Sequence, residues 1–215
     1  GVYLPEFYRV EYLPSGAVAV ITPESGAPPV IQKRVIPDLD RAYLPEKDLV
    51  PWLEIVHDRL ALEIMRGCTR GCRFCQAGMI YRPVRERSPA FIKERLTDLI
   101  KKTGYEEVSL TSLSSADYSK IEELTGMLTD CFGPQGVRIS LPSLRIDSFS
   151  PELAAKFVSG RKGSLTFAPE AGTERLRRVI NKNLSDQQIF ETLEAAFTGG
   201  WQRIKLYFMI GLPTE

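Results

Sequence analysis

Three features of this 215-residue chain predict an α/β fold of parallel strands, specifically part of a (β/α) barrel. Short apolar runs alternate with amphipathic helical stretches, each unit taking roughly 30 residues, the length of a strand plus a helical crossover. No glycine fingerprint of a dinucleotide-binding sheet follows the first core strand. A cysteine-rich loop does follow it, at the strand end where such barrels gather their chemistry. About five βα units are predicted in residues 61–215, preceded by a small β-rich appendage or linker in residues 1–60.

The appendage opens with strand-like runs at Phe7–Leu13 and Ala17–Thr22, joined by Pro14-Ser15-Gly16, a hairpin signal. Val30–Ile36 is a candidate third strand. Prolines at 5, 14, 23, 28, 29, 37, 45 and 51 forbid long helices here. Ala61–Met65 is the first core strand and runs straight into the cysteines. Ser88 then caps a helix with Pro89 at its first position and Phe91, Ile92, Leu96, Leu99 and Ile100 on one stripe. Glu107–Leu113 is strand-like, and Asp117–Cys131 places Ile121, Leu124 and Leu128 at helical spacing. Val137–Leu141 is a strand, and Ser150-Pro151-Glu152 caps a further helix. Ser164–Ala168 is the fourth core strand, leading to a helix through Leu176 and Ile180. Ser185 and Gln188 form a capping-box pattern that opens Ile189–Phe197, and Gly199-Gly200 stops it. Arg203–Ile210 is the fifth strand.

The bulk composition narrows the class. Hydrophobic residues make up 43% of the chain, enough for one sizeable core. Lys and Arg total 28 against 27 Asp and Glu, a formal charge of +1, so no global field draws the chain to nucleic acid or a membrane. The longest apolar run, Leu206–Leu212, is far short of the roughly 20 residues that span a bilayer. Three of four cysteines lie within eight residues, unlike the spread framework of a disulfide-stapled secreted domain. A cytoplasmic protein is expected. The first residue is Gly1, and the last strand is followed at once by Gly211-Leu212-Pro213-Thr214-Glu215, so the chain reads as a fragment truncated at its C-terminal end.

The chemistry-bearing segment is Glu63-Ile64-Met65-Arg66-Gly67-Cys68-Thr69-Arg70-Gly71-Cys72-Arg73-Phe74-Cys75. Thiolates separated by three and then two residues can converge from one tight loop, and Gly67 and Gly71 let the backbone curl close to the sulfurs. Thiolates are ligands of iron–sulfur clusters and of zinc. Three ligands on a four-iron cube leave one iron open, as a catalytic site requires. A structural zinc site wants a fourth Cys or His; Cys131 and His57 are the candidates, each in an unrelated context. Cys131 itself reads as a small buried hydrophobe.

The Cys-x3-Cys-x2-Cys spacing, with aromatic Phe74 before the last cysteine, resembles the signature of the radical S-adenosylmethionine (SAM) superfamily. Arg66–Arg87, Thr166–Lys182 and Lys205–Glu215 resemble the branch whose members carry an N-terminal cobalamin-binding domain, with residues 1–60 similar to the connector after that domain. The resemblance covers residues 60–215. It implies that Cys68, Cys72 and Cys75 hold a 4Fe–4S cluster whose open iron chelates SAM. The reduced cluster then cleaves SAM to methionine and a 5′-deoxyadenosyl radical that takes hydrogen from an unidentified substrate. An external flavodoxin- or ferredoxin-like electron donor is implied as partner. Cobalamin is implied at most for the full-length protein: the Asp-x-His-x-x-Gly motif is absent and His57 is the single histidine.

Under the same resemblance, Phe74 packs beside the adenine, or simply packs the loop. Ser112 and Ser114 stand where family members, often through Gly-Gly-Glu, meet the SAM amino group; helix capping by Ser114 or Ser115 is the plainer alternative. Ser140 and Arg145 suit the ribose hydroxyls and the methionine carboxylate, with a surface ion pair to Asp147 as the other reading of Arg145. Glu170 is a carboxylate where an apolar strand meets a glycine turn, costly to bury unpartnered, and ribose hydroxyls or the SAM ammonium would partner it. Gly211 opens a Gly-Leu-Pro-x-Glu turn whose backbone lines the adenine. Arginines 66, 70, 73, 82, 85 and 87 form a local cluster that balances thiolates, contacts an anionic substrate such as RNA phosphate, or faces solvent. Nucleic acid stays open as a partner on that ground alone. A methylthiotransferase-like enzyme acting on tRNA is the narrower alternative, although it calls for a second cysteine triplet. A non-catalytic zinc or iron–sulfur binding module is the contrasting class.

Overall fold

The computed structural model describes residues 1–53, 55–142, 144–149 and 164–215. The helix expected from Ser150 lies outside them. The chain forms two compact units, Gly1–Pro37 and Asp38–Glu215.

In the first unit, β1 (Tyr8–Tyr12) and β2 (Val18–Pro23) form the expected antiparallel hairpin, with a register shift between Glu11 and Tyr12. Val30–Ile36 forms no strand. It lies between Pro28-Pro29 and Pro37, which lack ladder donors, and the Tyr8 hydroxyl holds the Pro28 carbonyl at 2.8 Å. The units divide at residue 37, not at residue 60, because the next segment is tied to the core. Leu39 is buried, Asp40 accepts hydrogen bonds from the Ser88 amide, and Arg95 donates to the Pro45 carbonyl.

The second unit is α/β with parallel strands. β3 (Leu60–Glu63), β6 (Glu107–Thr111) and β7 (Arg138–Ser140) form one parallel sheet in the order β3-β6-β7. Between β3 and β6 come β4 (Met65–Arg66), α1 (Ala77–Ile80), β5 (Arg85–Glu86) and α2 (Pro89–Thr103), with β4 and β5 paired antiparallel. α3 (Ile121–Phe132) joins β6 to β7. A second parallel sheet pairs β8 (Ser164–Glu170) with β9 (Arg203–Phe208), connected through α4 (Glu174–Val179) and α5 (Asp186–Thr198). The five core strands expected from sequence are therefore present. Among the described residues they lie in two sheets, and no closed barrel forms.

Amphipathicity explains the layering. Leu60 and Leu62 alternate inward, and with Val108, Leu110 and Ile139 they meet Ile92, Leu96 and Leu99 of α2 and Leu124, Leu128 and Phe132 of α3. Each such side chain, fully buried, contributes about 1.5–3 kcal/mol. Cys131 packs against the same core. In the second sheet Phe167, Ile204 and Leu206 pack with Ile189 and Leu193 of α5, while Arg203, Lys205 and Tyr207 of β9 are exposed on the other face. Leu144, just after β7, packs against both cores. The helix ends follow their caps: the Ser88 hydroxyl accepts from the Phe91 amide, and Ser185 with Gln188 completes a reciprocal capping box. The stretch between β6 and α3 differs most from expectation. β6 stops at Thr111, and a 3-10 turn at Ser115–Asp117 precedes α3, which starts at Ile121 rather than Asp117. Serine hydroxyls compete for backbone groups there: Ser112 accepts from the Ser114 amide and Ser115 donates to the Leu110 carbonyl.

Candidate functional site

The cysteine loop leaves β4 through Gly67, whose φ is +96°. A Cβ there would stand 2.7 Å from the Tyr81 carbonyl oxygen and 3.0 Å from that of Pro83, so only glycine fits. Gly71, at φ +70°, repeats the left-handed turn. All three thiols are free and partly buried, and they line one cavity of about 240 Å³. The Arg70 amide approaches Cys68 Sγ at 3.5 Å, and the Cys75 amide donates to the Cys72 carbonyl. Among the described residues no three Cys, His, Asp or Glu side chains stand close enough to share a single metal ion.

The loop is anchored from two directions. On one side Arg70 reaches across to the ends of β6 and β7. It donates twice to Asp117 and once, at 3.0 Å, to Asp147. Hydrogen bonding to Asp117 raises the guanidinium above its ordinary range, with burial opposing and Asp147, Asp117 and Cys68 adding to the rise. Burial by itself would raise the Asp117 carboxyl, but the hydrogen bonds from Arg70 hold it below the usual carboxylate value. On the other side Asn181 donates to the Gly71 carbonyl at 2.8 Å, and the Arg73 amide donates to the Ile180 carbonyl. Asn181 is itself at φ +56°. Its segment is fixed by Arg177, 1% exposed, which donates to the carbonyls of Leu184 and Ala171 and pairs with Asp186.

The same cavity is lined by Arg145, Glu170 and Lys182, with Phe74, Ser114, Leu113, Leu144 and Ala168 completing the walls. Arg145 makes a two-point bond to Asp147, Nε to Oδ1 at 2.9 Å and Nη2 to Oδ2 at 3.0 Å. Arg145 thus lines the cavity while holding Asp147 in a pair that is mostly buried and not at the surface. Glu170 ends β8 at a register irregularity with φ +70°, a conformation that strains a non-glycine residue. Its carboxylate lies 3.4 Å from Lys182 Nζ, and Lys182 is 8% exposed. The pair satisfies the partner requirement that burial imposes.

The structure thus brings Cys68, Cys72, Cys75, Phe74, Ser114, Arg145 and Glu170 to one cavity. Three other sequence-selected residues lie elsewhere. Ser112 lines a neighbouring cavity of about 410 Å³ with Glu63, Arg66, Tyr81 and Thr111, sharing Leu113 as the dividing wall. Ser140 donates across the sheet to the Val108 carbonyl at 3.2 Å. The Gly211 amide is taken by the Glu215 carboxylate at 2.6 Å. The arginine cluster disperses as well. Arg66 forms a two-point pair with Glu63, and Arg85 donates to the carbonyls of Pro83 and Tyr81. Arg87 is buried, donating to the carbonyls of Glu63 and Leu39 and stacking on Phe91. Sequence reasoning missed Lys182 and the roles of Arg70, Asp117 and Asn181. The apolar-to-charged break after Ile180 marks Lys182 only weakly, and the other contacts join residues 47 to 111 apart.

Comparison with known proteins bears on the family and the fold. The description "Radical SAM superfamily" matches residues 62–215. The chain is 40% identical over 154 residues to the uncharacterized protein MJ0966 of Methanocaldococcus jannaschii, covering 72% of this chain and a third (33%) of that protein's length. Among solved structures it is similar to the radical SAM methyltransferase TsrM from Kitasatospora setae, solved with cobalamin and a [4Fe-4S] cluster. The TM-score is 0.58 at 13% identity, over 73% of this chain and 32% of TsrM. It is also similar to the cobalamin-dependent SAM radical enzyme OxsB, solved with aqua-cobalamin and SAM. There the TM-score is 0.57 at 16% identity, over 94% of this chain and 29% of OxsB. These structural likenesses concern the fold. With a cysteine triplet at the end of the first core strand, a cavity framed by the following strand ends, and a family match across both, the chain belongs to the radical SAM superfamily.

Proposed function

We propose that this chain is the core of a radical SAM enzyme, with Cys68, Cys72 and Cys75 as the ligands of a 4Fe–4S cluster and the cavity they line as the SAM site. The observation that carries the reading is the meeting, on one cavity, of three free thiols with Arg145, Glu170, Lys182 and Phe74. The thiol arrangement fits the cluster. A four-iron cube takes its thiolates at separate corners, whereas a zinc ion needs all its ligands about 2.3 Å from one point.

When bound, the reduced cluster and SAM supply a 5′-deoxyadenosyl radical that removes hydrogen from a substrate. This chain's residues bind and orient. Arg145 keeps Nη1 for an incoming carboxylate while Asp147 holds its other two nitrogens. Glu170 and Lys182 offer an acceptor and a donor side by side for a ligand carrying both ammonium and hydroxyl groups. Phe74 supplies an apolar face, and Leu113 and Leu144 limit water at the wall. Electrons would come from a flavodoxin- or ferredoxin-like donor. Cobalamin is assigned to no residue of this chain. The substrate is an organic molecule whose recognition depends on residues beyond those that hold SAM.

The test is anaerobic reconstitution with iron and sulfide. The expected result is a 4Fe–4S absorption and spin-resonance signature whose reduced form changes when SAM is added, with methionine and 5′-deoxyadenosine released. Cys68→Ala, Cys72→Ala and Cys75→Ala each abolish it, while Cys131→Ala does not. One tightly held zinc per chain, or a cluster indifferent to SAM, overturns the proposal.

A further inference from the structure

Four charged side chains form an unbroken line behind the cysteine loop: Asp117, Arg70, Asp147 and Arg145. Asp117 follows β6, Asp147 and Arg145 follow β7, and Arg70 lies between Cys68 and Cys72. The middle carboxylate is shared. Asp147 Oδ1 accepts from Arg145 Nε, and Oδ2 accepts from both Arg145 Nη2 and Arg70 Nη1, each at 3.0 Å. The Asp147 and Arg145 side chains are both 14% exposed. The backbone under Asp147 is held rigidly, since Ile146 is buried in the second core and its carbonyl accepts from Thr192 of α5.

The two arginines stand differently: Arg70 belongs to the cysteine loop itself, and Arg145 lines the cavity from the segment after β7. Arg145 alone of the pair has a two-point hold on Asp147, so it sets the carboxylate's orientation and hence where Oδ2 meets Arg70. Removing one partner of such a mostly buried pair leaves the other short of charge compensation and destabilises its surroundings.

We infer that Asp147 is a positioning residue that couples Arg145, on the wall where a SAM carboxylate would bind, to Arg70 in the cysteine loop. Loss of Arg145 therefore loosens the loop through Asp147. This inference rests on the functional reading above, and it adds a linkage: filling the cavity and retaining the cluster depend on one another.

The experiment is a double-mutant cycle on reconstituted protein, read as the rate at which a chelator strips iron without SAM. Arg145→Gln is expected to speed iron loss about fivefold in the otherwise unchanged chain, the size of an ordinary coupling between contacting residues. In the Asp147→Asn background, already faster, the same substitution changes the rate less than about twofold, within ordinary additivity error. Asp147→Glu, which keeps the charge, restores part of the protection. Equal effects of Arg145→Gln in both backgrounds, or none in either, overturn the inference while leaving a SAM-responsive cluster in the unmodified chain untouched. If Asp147→Asn does not fold, the same cycle run between Arg70→Lys and Arg145→Gln decides it by the same criterion. A chain that takes up no cluster at all overturns both readings.

Discussion

At the scale of single residues, two positions at the candidate site, Gly67 and Glu170, each hold a positive φ. Gly67 combines φ +96° with three backbone atoms within 3.1 Å of where a Cβ would sit. Those atoms belong to backbone and cannot rotate away. Gly67→Ala is expected to destabilise by about 2–3 kcal/mol and to lower iron bound per chain, since the first cysteine moves with it. Gly104, at φ +74° but with nothing within 4 Å, is the control. There Gly104→Ala should cost about 1 kcal/mol with iron binding unchanged. Urea denaturation together with iron analysis separates the two cases. The second position is Glu170, strained and paired with Lys182. Glu170→Gln leaves a buried ammonium uncompensated and is expected to lose about 3 kcal/mol. Adding Lys182→Met should recover most of that stability but not SAM binding, as measured by spectroscopic titration. Recovery of both would show that the pair is merely structural.

At the scale of elements, chain-local chemistry decides where the helices begin. The Ser185 hydroxyl accepts from the Gln188 amide at 3.1 Å, and the Gln188 side chain accepts from the Ser185 amide at 3.0 Å. Ser185→Ala should remove about 1 kcal/mol, visible as a lower thermal midpoint with the SAM response of the cluster preserved. The helix that follows covers β8 and β9 through Ile189 and Leu193. Arg177 acts differently. It is a buried charge that joins α4 to the loop carrying Asn181 and so sets the second anchor of the cysteine segment. That role is invisible in an amphipathic reading, which places an arginine on a helix surface. Hairpin, capping box and helix stripes were legible because their partners lie within a few residues. The absent third strand was not, because forming a strand requires a neighbour that periodicity alone does not supply.

At the scale of the molecule, the cysteine loop is braced between two sheets. Arg70 ties it to the ends of β6 and β7, and Asn181 ties it to the loop after α4. Leu144 belongs to both cores beneath. The pH dependence of stability follows from this bracing. Asp117 has a folded pKa below its unfolded value. Its contribution is complete above the ordinary carboxylate range near pH 4 and is lost as pH falls through the lower folded value. Urea midpoints measured from pH 6 down to pH 3 should therefore fall, and Asp117→Asn should flatten the acid limb while lowering the plateau. A limb unchanged by the substitution would remove Asp117 from the account. No helix among the described residues is long and apolar enough to cross a membrane.

The sequence by itself determined the spacing of Cys68, Cys72 and Cys75, the order of the strands and helices, and the caps. Each of these depends on residues close in the chain, where backbone geometry and side-chain period leave few choices. Tertiary structure alone decided that the five core strands fall into two parallel sheets, that Lys182 meets Glu170, and that Arg70 reaches Asp147. These are meetings through space between segments 12 to 77 residues apart. A side chain's partner at that range is set by how sheets and helices pack, because any of the clustered arginines has the charge to pair with Asp147 and packing brings Arg70 there.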